Sequence, residues 1–182
     1  MAHGIVVKTR TASTEVDAYN RPAVAGSAVN LDNGNVFRLD TQSGSAGYAE
    51  VWDVSAPSGS TVLSGLWMAA SPERVITVSG TYEFANIDPD PRNFYNIGGK
   101  VFDAFKPVAG DILLLTSDAI SGSPSTGDYV CAGSGVYQLA WSATQTASAL
   151  AMKILKETSY AIGSGAIGGT SVLAYKLQVL AN

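Results

Sequence analysis

Short apolar runs, broken by Gly, Pro, Ser and Asn, recur along the whole chain, and few exceed the length of a strand. Runs of this kind, rich in Val, Ile, Leu, Tyr and Trp, predict an all-β fold. They are densest in YAEVWDVSAP, SGLWMAASPERVITVSGTYEF and GGKVFDAFKPVAGDILLLT, between Tyr48 and Thr116. Strands are predicted there over residues 48–54, 62–70, 74–78, 81–84, 100–105 and 111–116. The nearly unbroken apolar run 62–70 predicts a strand covered on both faces. Residues 31–116 are therefore expected to form the main core, a β-sandwich or barrel-like domain.

The flanks are less regular. Residues 1–30 show no sustained periodicity and read as an extended N-terminal arm, able to supply one strand at 4–9. Such an arm is expected to be dispensable for the fold. Asp32-Asn33-Gly34-Asn35 predicts a turn, because Asn and Gly tolerate positive φ, and its apolar flanks predict a hairpin entering a strand at 36–39. The segment ANIDPDPRNFYNIGG reads as loop. SDAISGSPSTGD, residues 117–128, is poor in apolar side chains and predicts an exposed linker. Beyond it, residues 129–182 read as a smaller C-terminal β part, with strands at 129–132, 136–141, 149–156 and 172–180. In the last, Leu173, Tyr175, Leu177 and Val179 alternate with Ala174, Lys176 and Gln178, as in a half-buried strand. ALAMKILKE fits a strand or a short helix, since Leu150 and Ile154 are four apart; its β-rich surroundings favour strand. SYAIGSGAIGG reads as a loop or bulged strand.

Composition changes this picture in one respect. Apolar residues make up 46% of the chain, as in a globular protein, but charged residues only 14%, against about 25% in typical domains. Gly, Ser, Thr and Ala replace charge, which leaves a surface that is inexpensive to desolvate. The net charge is −4 and no basic run occurs, which argues against a nucleic-acid partner. No stretch approaches the ~18 apolar residues of a membrane helix, and MAHGIVVKTRT lacks a signal-peptide pattern. A soluble protein made in a cytoplasm, with no membrane partner, is expected. The single cysteine, Cys131, excludes an internal disulfide and reads as a small buried strand residue.

Candidate chemistry is sparse. A catalytic Ser or Cys needs a positioned base, and the only histidine is His3, expected near a mobile terminus. A multi-histidine metal site is excluded on the same count. The four clustered Asx residues Asn30, Asp32, Asn33 and Asn35 do not match a Ca²⁺ loop, and Asp88 and Asp90 sit in a Pro-stiffened loop with no third ligand. The GSG triplets at Gly133 and Gly163 lack the lysine and helix of a phosphate loop. Fifteen acids always permit a glycosidase-like pair somewhere, so that possibility carries little weight. No catalytic residue, metal site or cofactor is predicted, and the chain is not expected to be an enzyme.

The runs DNGNVFRL, EVWDVSAP, LWMAASPE, FYNIGGKVFDAF and GDILLLT resemble a family of small structural proteins of tailed bacteriophages. GVYQLAW, ALAMKILKET, SYAIGSGAIGG and AYKLQVLAN extend the resemblance to roughly residues 30–182. Where that family carries a basic residue in the strand before GD, this chain has Asp103-Ala104-Phe105-Lys106. The resemblance implies a non-catalytic virion protein of the head decoration or cement type, synthesised in the bacterial cytoplasm. It further implies binding to the outside of the capsid, with the major capsid protein as partner, as a homo-oligomer or in many copies on the lattice. The alternative is a virion carbohydrate-binding or host-attachment module, for which Tyr82, Phe94 and Tyr95 would supply an aromatic platform.

Overall fold

The computed structural model describes residues 2–42, 50–58, 65–73, 76–79, 82–85, 90–145, 150–162 and 169–182. Strands account for 49% of it and helical turns for 8%, with no helix of seven residues or more, so the fold is all-β. The strands are β1 (Val6–Arg10), β2 (Asn20–Val24), β3 (Val36–Gln42), β4 (Trp52–Ser55), β5 (Trp67–Ala69), β6 (Ile76–Ser79) and β7 (Tyr82–Ala85). They continue with β8 (Val101–Phe105), β9 (Ile112–Thr116), β10 (Ile120–Ser121), β11 (Tyr129–Cys131), β12 (Leu139–Ser142), β13 (Ala151–Ile162) and β14 (Thr170–Ala181). No described helix is long and apolar enough to cross a membrane.

Two bodies make up the fold. A seven-stranded sheet runs β1-β9-β14-β13-β11-β12-β10, and a five-stranded closed barrel runs β2-β4-β3-β5-β8. β6 and β7 pair with each other as a separate hairpin. Barrel strands alternate between two cores, as a period of two requires. Phe37, Ala69 and Ala104 point into the barrel, where Phe37 meets Phe102 edge-on with ring centroids 5.5 Å apart. Their chain neighbours Val36, Met68 and Phe105 point the other way, onto Leu113, Leu115, Ile154 and Leu177 of the large sheet. Both faces of β5 are thus covered, which accounts for the unbroken apolar reading of its segment. Each fully buried Val, Leu, Ile, Phe or Met side chain contributes about 1.5–3 kcal/mol; the sheet-side cluster consists mainly of these, while four of the seven buried residues in the barrel cluster are alanines.

The expected division into arm, main domain, linker and C-terminal part does not follow the sheets. Residues 1–30 supply β1 to the large sheet and β2 to the barrel, and Ile5 and Ala23 are buried. β9, before the expected linker, pairs with β14, the last strand after it. The stretch 117–128 itself carries a 3-10 turn at Ser117–Ala119 and β10, with Ala119, Ile120 and Pro124 buried. Most of the larger core comes from residues 113–179 instead of the stretch richest in apolar runs. ALAMKILKE is strand, and β13 continues through SYAI to Ile162. The turn at 32–35 forms, with Gly34 at φ 91°, but Leu31 before it bridges to Asn96 and does not pair with β3.

Candidate functional site

The 32–35 turn and His3, both singled out in the sequence, meet at one junction. Turn 32–35 is closed by the Asn35 N–H donating to the Asp32 carbonyl at 3.1 Å. Asn33, fully buried, reaches across to the segment that follows β5: its Nδ2 donates to the Ser71 carbonyl at 2.8 Å and its Oδ1 accepts from the Ser71 N–H at 3.0 Å. The same Oδ1 accepts from Asn96 Nδ2 at 3.2 Å, and Nδ2 also donates to Glu73 Oε1 at 3.2 Å. Asn96 is locked in turn by backbone bonds to and from Leu31, at 2.7 and 3.0 Å.

His3 closes the junction from outside. Its Nδ1–H donates to Asp32 Oδ1 at 2.7 Å, its backbone N–H donates to the Arg92 carbonyl at 2.8 Å, and its ring lies 5.1 Å from that of Tyr95. The residue expected near a mobile terminus is thus tethered at three points. Asp90 caps the 3-10 turn Pro91–Asn93 and takes the Arg92 guanidinium on both oxygens, at 2.6–3.0 Å. The hydrogen bond from Arg92 holds the Asp90 carboxyl below the usual carboxylate range. Asp88 lies outside the described residues. Among the described residues no buried side-chain N or O lacks a partner, and no three His, Cys, Asp or Glu side chains gather. The buried polar groups of the junction are thus bonded to other parts of the chain, which fastens the turn, the segment after β5 and the N-terminus together.

A groove of about 560 Å³ lies between β1 and the barrel, lined in part by Lys8, Arg21, Glu73, Asp103 and Phe105. Lys8 Nζ stands 5.3 Å from the centre of the Phe105 ring, a cation–π contact. Its two cations and two carboxylates leave the groove without net charge. Of the candidate platform, Tyr95 is exposed and Phe94 half-buried, while the side chain of Tyr82, on β7, lies outside the described part. Cys131 is buried on β11 as expected. Gly135 takes φ 78°, the turn conformation read from its GSG triplet; residues 163–165 lie outside the described residues.

Sequence reading passed over Trp141. It is 45% exposed on β12, and its indole N–H donates to Asp128 Oδ2 at 2.9 Å, which also accepts from the Ser125 N–H. These two bonds, the backbone one first, hold the Asp128 carboxyl below its usual range. Thirteen residues separate the pair, a spacing that carries no periodic signal. Comparison of the chain with protein-family models, with curated proteins and with solved structures found no match.

Proposed function

We propose that this is a non-enzymatic virion protein of a tailed bacteriophage, a decoration or cement protein that binds the outside of the capsid shell. The observation that carries the reading is a low-charge β body whose large apolar side chains stand exposed on several sides. Val101, Val136, Trp141, Leu155 and Leu173 are each at least 40% exposed. Large apolar side chains left in water are what a protein buries against a neighbour. At ~25 cal/mol per Å² of apolar area, a modest contact repeated over a lattice adds up to large shell stability. The resemblance of the motif runs to phage structural proteins supports the same reading.

The test is sedimentation of the purified chain with shells and, separately, with tails of the virus that encodes it. Pelleting with shells alone is expected, and shells lacking the protein should release DNA at a lower temperature than complete ones. Equal stability with and without it would remove the cement role. Pelleting with tails would favour the attachment module.

A further inference from the structure

Four cations from three strands, β1, β13 and β14, meet on the outer face of the large sheet. Lys156 stands directly opposite Lys176, and Lys153 opposite Gln178, two positions along β14. Residues 153 and 156 would face opposite sides of a regular strand. The register shift between Ile154 and Lys156 turns Lys156 onto the face of Lys153, as bulges do. Following the pairing outward, Leu114 lies beside Lys176 and Val7 beside Leu114; Ile112 lies beside Gln178 and Arg10 beside Ile112. Arg10 reaches this face through a second register shift, between Lys8 and Arg10.

The outer face thus holds Arg10, Lys153, Lys156 and Lys176 around the half-buried Val7, Ile112 and Leu114. The paired positions of these two rows carry no carboxylate. Among the described residues the ion pairs are His3–Asp32 and Arg92–Asp90, and none of the four cations joins one. Residues 150–182 hold three of the six lysines and a single acid, Glu157, in a chain whose net charge is −4. Like charges directly opposite on paired strands oppose the pairing, so the fold gains nothing from this arrangement.

We propose that this face is a docking surface for a partner protein that presents carboxylates around an apolar centre. The deduction rests on the reading that the chain works by burying surface against another protein. Charge complementarity selects the partner: the cations would find there the carboxylates they lack here, and an otherwise acidic body would be steered to bind through this side. The aliphatic side chains between the cations fit a desolvated protein contact better than hydrated phosphates, which favour basic and polar surfaces.

The full chain and its K153Q/K156Q/K176Q variant would be passed over immobilised poly(Glu,Tyr) copolymer, over duplex DNA and over the shells. Retention of the wild type on the copolymer, falling with salt, is expected, with about tenfold or greater weakening in the variant. The variant's melting temperature should stay level or rise, because neutralisation removes the Lys156–Lys176 repulsion; this separates lost docking from lost folding. Equal retention of variant and wild type would overturn the proposal. So would tighter binding to duplex DNA, or self-association of the wild type that the variant loses, which would assign the face to a second copy. Wild type and variant pelleting equally with shells would sink this face and leave the decoration role standing. Charge-dependent copolymer binding without shell binding would do the reverse.

Discussion

Asn33 shows how much one side chain decides. It is fully buried and ties the 32–35 turn to Ser71, Glu73 and Asn96. An isosteric apolar replacement, Asn33→Leu, takes from the Ser71 N–H and the Ser71 carbonyl the partner each has in Asn33, at about 1–3 kcal/mol each, while Asn96 keeps the Leu31 carbonyl. A loss of about 2–6 kcal/mol in denaturant unfolding is expected; a change near zero would show the junction to be incidental. Gly4 stands beside it with no room to spare, since a Cβ there would lie 2.6 Å from the Asn33 carbonyl oxygen and 2.7 Å from Ala119 Cβ. The Asp128–Trp141 bond makes a pH prediction. A carboxyl held below its usual range adds stability at neutral pH, and that contribution is lost as pH falls through the lowered value. The Trp141 indole N–H resonance should therefore hold steady through pH 5 and move only below the usual 3.8 of a carboxylate, and Asp128→Ala should abolish the transition.

At the scale of elements, period-two patterning located most strands, and departures from it located the surprises. β2 escaped notice because it contains Pro22, a residue confined to sheet margins. Pro22 is tolerated because β4 pairs only with Ala23 and Val24 further along. The bulge at Leu155 was equally invisible, since an inserted residue has no composition of its own. Its effect can be read through Lys156→Glu, which puts a carboxylate opposite Lys176. Replacing repulsion with an opposite-charge pair should raise stability by roughly 0.2–1 kcal/mol. A fall in melting temperature would mean that Lys156 does not face Lys176 in solution.

For the molecule as a whole, the first thirty residues matter most. They were expected to be an appendage, yet they provide an edge strand of the sheet and one of the five barrel staves. Removing them opens the barrel, uncovers Phe102 and Ala104 opposite β2, and exposes Leu113 and Leu115 beside β1. A chain starting at residue 31 should therefore lose cooperative unfolding and bind hydrophobic dye. Native-like dispersion in its NMR spectrum would show that the barrel closes without β2. Cutting the chain between residues 116 and 129 gives no independent halves either, because β9 and β14 sit side by side.

The sequence by itself determined the all-β class, most strand positions, the turn at Gly34 and the burial of Cys131. Each depends on neighbours within a few residues: alternation of apolar side chains, or a glycine needed for positive φ. Only the tertiary structure decided which strands share a sheet, because pairing joins residues as far apart as Val6 and Leu115 without changing either one's local pattern. The same holds for the junction, where His3, Asp32 and Tyr95 meet from three separate segments. It holds again for the basic face, where a single extra residue at Leu155 reverses the direction of the next side chain. Local chemistry writes the strands; closure of a barrel against a sheet, a long-range balance of buried area, decides what they bring together.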